Sequence, residues 1–218
     1  MELKGLKINF LGDSITEGVG TSAPEKRYVD IIAAKTGSLC RNYGISGTRI
    51  ARQRRPTVDN PSFDLDFCRR AEEMDEDADI VVVFGGTYDF GHGDAPFGVM
   101  ADRTTDTFCG AMHVLCRTLL TRYPRSEIVF ILPPHRLNEN EPRGDNKPAP
   151  VAVLKDYVNA MREILEYYSI PALDLYAKGR MQPAVPVSLE TYMPDGLHPN
   201  DAGNALIAER LMNFLQAL

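Results

Sequence analysis

The chain has 218 residues and a formal net charge of −6, enough length for one sizeable core and the wrong sign for general nucleic-acid binding, which needs a basic face. No apolar run approaches the length of a membrane span. The start, Met1 to Lys7, leads into a strand without the long apolar run of a secretory signal, which sets the cytoplasm as the expected location.

Apolar runs bounded by turn residues alternate with helical stretches. Leu6 to Leu11 is the first predicted strand, Tyr28 to Lys35 a short helix and Leu39 to Tyr43 a second strand. The segment Ile80-Val81-Val82-Val83-Phe84 is apolar throughout, as a strand covered on both faces should be. Thr104 to Tyr123 reads as a helix stopped by Pro124, and Ile128 to Leu132 as a fourth strand stopped by Pro133 and Pro134. Val151 to Tyr168 is a helix, Ile170 to Leu175 a short fifth strand, and Ala202 to Leu218 the closing helix, capped by Asn200 or Asp201. Strands alternating with helices predict an α/β fold, a parallel sheet with helices on both faces, in one domain over 1–218. Two segments read as long loops, Arg49 to Phe63 and Pro133 to Pro150, and the acidic run Glu72 to Asp79 as a solvated helix end.

In such sheets the ligand sits beyond the carboxyl ends of the strands, so Ser14, Gly47 and the Gly85 to Asp89 segment should gather on one rim. Ser14 lies at the turn from the first strand into a helix. Asp195 and His198 stand three residues apart just before the last helix. A serine hydroxyl needs a base within hydrogen-bond reach, and the base needs an orienter. Ser14, His198 and Asp195 supply all three; the alternative is a plain helix start and a capped turn. A phosphate loop at Gly12 to Gly20 lacks the following Lys and the GxGxxG spacing. Asp89, His92 and Asp94 are too few for a metal site. The four cysteines, Cys40, Cys68, Cys109 and Cys116, lack zinc spacing and read as reduced core thiols. Arg49, Arg52, Arg54 and Arg55 either face an anionic group of a substrate or form a solvated or subunit-contacting loop.

The blocks Gly12-Asp13-Ser14-Ile15-Thr16, Asn42-Tyr43-Gly44-Ile45-Ser46-Gly47, Gly86-Thr87-Tyr88-Asp89 and Asp195-Gly196-Leu197-His198, in this order, resemble those of the GDSL/SGNH serine esterases. The resemblance implies a three-layer α/β/α, flavodoxin-like sandwich of about five parallel strands. It implies hydrolysis of a small-molecule carboxylic ester through an acyl-enzyme, with no metal or cofactor. Carried over, Ser14 is the nucleophile, His198 the base, Asp195 the orienter, and the N–H groups of Ser14 and Gly47 line the oxyanion hole. Asp13, Tyr88, Phe90 and Arg49 are the candidate substrate contacts. The departure is at Tyr88, where the family carries an Asn whose amide completes the oxyanion hole. Tyr88 either donates from a re-aimed position, walls the pocket, or marks a site turned from fast hydrolysis toward acyl transfer or ligand binding. The lack of Trp disfavours a polysaccharide substrate but leaves an acetylated small sugar or a lipid-derived ester open. An oligomer is compatible with the sequence.

Overall fold

Five short apolar segments pair into one parallel sheet in the computed structural model, which describes residues 1–218. They are β1 (Lys7–Gly12), β2 (Leu39–Gly44), β3 (Ile80–Phe84), β4 (Glu127–Leu132) and β5 (Ala172–Asp174), in the spatial order β2-β1-β3-β4-β5. The side chains of a strand alternate between faces. In β3, Val81 and Val83 enter one core while Ile80, Val82 and Phe84 enter the other. β4 repeats this, with Ile128, Phe130 and Leu132 on the first side and Val129 and Ile131 on the second. The first core is closed by α3 (Phe67–Glu73), α5 (Phe108–Arg122) and α6 (Leu154–Tyr167), the second by α2 (Tyr28–Thr36) and α9 (Asp201–Ala217). This is the expected three-layer α/β fold.

The strand order fixes where a ligand can go. The chain leaves β1 to build β2 on one side and then returns to build β3 on the other, so the crevice opens at the carboxyl ends of β1 and β3. From those ends come α1 (Ser14–Glu17) and α4 (Thr87–Gly91). The remaining helices, α7 (Leu175–Lys178) and α8 (Pro186–Tyr192), lie between β5 and α9.

Several boundaries shift for local reasons. The helix expected from Thr104 starts at Phe108, because Thr107 caps it by accepting from Gly110 N–H at 3.1 Å. β5 starts only after Pro171, which has no N–H but whose carbonyl accepts from Phe130. Asn200, rather than Asp201, caps α9; the Asp201 carboxylate instead holds Ser22. The acidic run is not merely solvated, since Asp77 pairs with Lys7 and Arg41 across the sheet edge. Cys68, Cys109 and Cys116 are buried free thiols, and Cys40 is half-buried.

Candidate active site

Ser14 opens α1 directly after β1. Asp13 caps that turn, its carboxylate accepting from Ile15 N–H at 3.0 Å, and Ser14 is 1% exposed. The opposite wall is the turn at residues 195–198. There Asp195 Oδ1 accepts from the N–H groups of Leu197 and His198 at 2.8 and 2.7 Å, a local turn closed by its own side chain. The other oxygen, Oδ2, lies 2.6 Å from His198 Nδ1. Burial by itself would raise the Asp195 carboxyl, but those N–H groups and the imidazole outweigh it and hold it below the ordinary carboxylate value. An ionised Asp195 accepts, so His198 Nδ1 carries the proton and Nε2 offers its lone pair. That Nε2 is 3.0 Å from Ser14 Oγ. Hydroxyl, imidazole and carboxylate thus form a continuous chain across 184 residues of sequence.

The Gly47 loop is fastened to the same rim. Asn42 donates to Thr16 C=O at 2.7 Å and accepts from Gly44 N–H at 2.8 Å, while the Glu17 carboxylate accepts from Ser46 N–H at 2.6 Å. Gly47 has φ +75°, and a Cβ there would stand 2.2 Å from the Phe63 ring, so only glycine fits. Its N–H makes no hydrogen bond within the chain. Beneath both blocks lies Arg70, buried, donating to Gly12 C=O at 3.2 Å, to Thr48 Oγ1 at 2.8 Å and to Tyr43 C=O. Burial lowers its pKa to about 10, which leaves it charged at neutral pH. Neither Arg70 nor Glu17 stood out in the sequence, where each looks like an ordinary surface residue of a helix.

Tyr88 stands against both Ser14 and His198. Its hydroxyl is 3.0 Å from Ser14 Oγ and 3.1 Å from His198 Nε2. Gly86, at φ +101°, turns the chain out of β3 so that α4 presents this side chain to α1. Three of the residues expected to touch substrate stand elsewhere. Phe90 is fully buried in the first core beneath the Arg136 guanidinium. Asp13 is sealed under the turn it caps. Arg49 is 3% exposed, donating to Phe63 C=O at 2.9 Å and meeting His92 Nδ1 at 2.5 Å. Asp13 and Arg49 are spent on holding the rim, because a buried polar or charged group must find its partners inside the protein. Asp89, His92 and Asp94 do not converge on a point. Asp89 accepts from Ile50 and Ala51 N–H at 3.0 and 2.9 Å, and Asp94 from Arg54 and Arg55 N–H at 2.7 and 2.9 Å. Arg52 pairs with Asp106, whereas Arg54 and Arg55 border a separate cleft of about 560 Å³ with Phe97 and Lys147. His113 is structural, bridging Tyr168 and Met100 inside the helical layer.

The family model of the GDSL-like Lipase/Acylhydrolase family matches residues 10–206, a span that holds every block of the site. The chain belongs to that family. Among solved structures, this GDSL-like acylhydrolase is 31% identical to a Lactobacillus plantarum protein, with 98% of each chain covered and a TM-score of 0.84. It shares its fold with a member of the lipolytic protein G-D-S-L family from Veillonella parvula, at 16% identity, 97% and 99% coverage and a TM-score of 0.63. A two-domain esterase active on acetylated mannans matches at 23% identity and a TM-score of 0.60, over 99% of this chain and 50% of that one. No match is found among the curated proteins. No helix of this family member is long and apolar enough to cross a membrane.

Proposed function

We propose that the protein is a serine esterase that cleaves short-acyl carboxylic esters through an acyl-enzyme. The observation that carries this reading is the unbroken chain from Ser14 Oγ through His198 to Asp195, at 3.0 and 2.6 Å. His198 Nε2 takes the proton of Ser14 as Oγ attacks the ester carbonyl. Asp195 stabilises the resulting imidazolium, which then protonates the leaving alcohol. Water, activated by the same nitrogen, releases the acid from Ser14. The free N–H of Gly47 and that of Ser14 at the start of α1 are suited to donate to the developing oxyanion. The near-complete burial of Ser14 under Tyr88 favours a small acyl group such as acetyl. The alcohol is an open choice between an acetylated carbohydrate and a lipid-derived fragment, which a panel of acetylated sugars beside p-nitrophenyl esters of graded length distinguishes.

A fluorophosphonate should label the wild-type protein and not Ser14→Ala. Ser14→Ala and His198→Ala should each lower kcat on p-nitrophenyl acetate by about 10⁴-fold or more, and the double variant by no more than either. Turnover by His198→Ala close to wild type would show that another group is the base.

A further inference from the structure

His92 follows Tyr88 by one turn of helix, its N–H bonded to Tyr88 C=O at 3.1 Å. Its ring is held on three sides. It stacks on Phe63 with centroids 5.8 Å apart and lies 4.5 Å from the ring of Tyr88, while the Arg49 guanidinium meets Nδ1 at 2.5 Å. A guanidinium has only donors, so Nδ1 must accept, and the single proton of a neutral ring sits on Nε2. That Nε2–H has no acceptor within the chain, and it is not among the polar atoms sealed from solvent.

The two flanking rings say where this donor stands. Phe63 is the ring pressed against Gly47, and Tyr88 is the ring whose hydroxyl touches Ser14 Oγ. His92 packs against both rings, the one that covers Gly47 and the one whose hydroxyl meets Ser14. We propose that His92 Nε2–H is a catalytic hydrogen-bond donor to the oxyanion that forms on the acyl group of Ser14, doing from the residue that caps the end of α4 what a side-chain amide at position 88 would do. This assignment rests on the reading of Ser14 as the nucleophile.

The chemistry suits the part. The donor must not carry charge of its own, since an imidazolium forms at His198 in the same step. Burial first, and then the charge of Arg49, with smaller contributions from Arg136 and Lys147 against that of Asp145, push His92 down to about 4. The ring therefore stays neutral, with its proton on the same nitrogen, from about pH 5 upward. A neutral imidazole kept from protonation is an established way to polarise a carbonyl. No proton is transferred; His92 donates a hydrogen bond and keeps its hydrogen.

The test compares His92→Phe, which keeps the stacking and loses the donor, with His92→Gln, whose amide nitrogen reaches about as far as Nε2. On p-nitrophenyl acetate His92→Phe should lose about 10²-fold in kcat with KM changed by less than about threefold, and His92→Gln should recover at least about tenfold of that. The second readout needs neither variant to fold. In protein carrying ¹⁵N-histidine, the His92 Nε2 proton should be present in the free state and move downfield when diisopropyl fluorophosphate places a phosphoryl oxygen on Ser14. An adduct on Ser14 with an unmoved His92 proton, or His92→Phe turning over as wild type does, overturns the assignment and leaves the nucleophile standing. Failure of Ser14 to form the adduct overturns both.

Discussion

At Tyr88 a phenol oxygen competes with Ser14 for one lone pair, because His198 Nε2 lies within reach of both and can take a single proton at a time. Burial raises the Tyr88 phenol, so it remains a neutral hydroxyl and cannot be the base. In the proposed cycle its use comes later, when an imidazolium at 198 would carry a proton on Nε2 and the phenol oxygen could accept from it. Tyr88→Phe should therefore lower kcat by about tenfold while leaving KM nearly unchanged, read on p-nitrophenyl acetate. A rise above wild type would show instead that the phenol restrains the base. In that case Tyr88→Asn, which restores the family residue, should raise turnover as well, and the site would be one turned away from fast hydrolysis. The departure at position 88 was legible in the sequence, but the reach of the ring was not. That reach follows from the left-handed turn at Gly86, which a string of residue types does not announce.

The junction of β1 and α1 concentrates an electrostatic cost in one residue. Asp13 must be there to cap the turn that carries Ser14, yet burial pushes its carboxyl up to about 7 from an ordinary 3.8, with Asp89 adding to the rise and Arg70 opposing it. Between about pH 4 and 7 the folded protein holds a proton here that the unfolded chain has released, so this group's contribution to stability declines as pH rises through that window and is level above it. Asp13→Asn keeps the cap acceptor and removes the titration. Its melting temperature relative to wild type should climb by a few degrees from pH 5 to pH 8, about what a change of 1–2 kcal/mol gives in a chain of this size. A difference that stays constant with pH would show that Asp13 is ionised throughout. At this scale the sequence was most legible in β3 and β4, whose uniform apolar runs have one reading as covered strands. It was least legible in α4 and α8, each shorter than two turns, where tertiary contacts rather than periodicity make the helix.

The two cores share one sheet, and β1, β3 and β4 send alternate side chains into each. Neither face can come apart without exposing strand residues that the other also buries, so the chain should unfold as one domain. Near-ultraviolet and far-ultraviolet circular dichroism should follow a single coincident transition with heat; two separated steps would divide the chain into units. The three-layer arrangement was legible because α/β alternation leaves few ways to cover a parallel sheet. The Arg49 to Phe63 stretch was read as a long loop whose arginines face a substrate anion or else lie in solvent or a subunit contact, and its real organiser went unseen because the pairing is between acids of one segment and main-chain amides of another. Asp89 and Asp94 hold that stretch as a receptor holds an extended peptide, two consecutive amides to each carboxylate. The consequence is a split in hydrogen-exchange rates that element assignments would not suggest. The amides of Ile50 and Ala51, outside any helix or strand but sealed against Asp89, should exchange on the timescale of the central strands. Those of the exposed Arg54 and Arg55, tied to the half-buried Asp94, should exchange sooner, and Asp89→Asn should release the first pair without hastening β3.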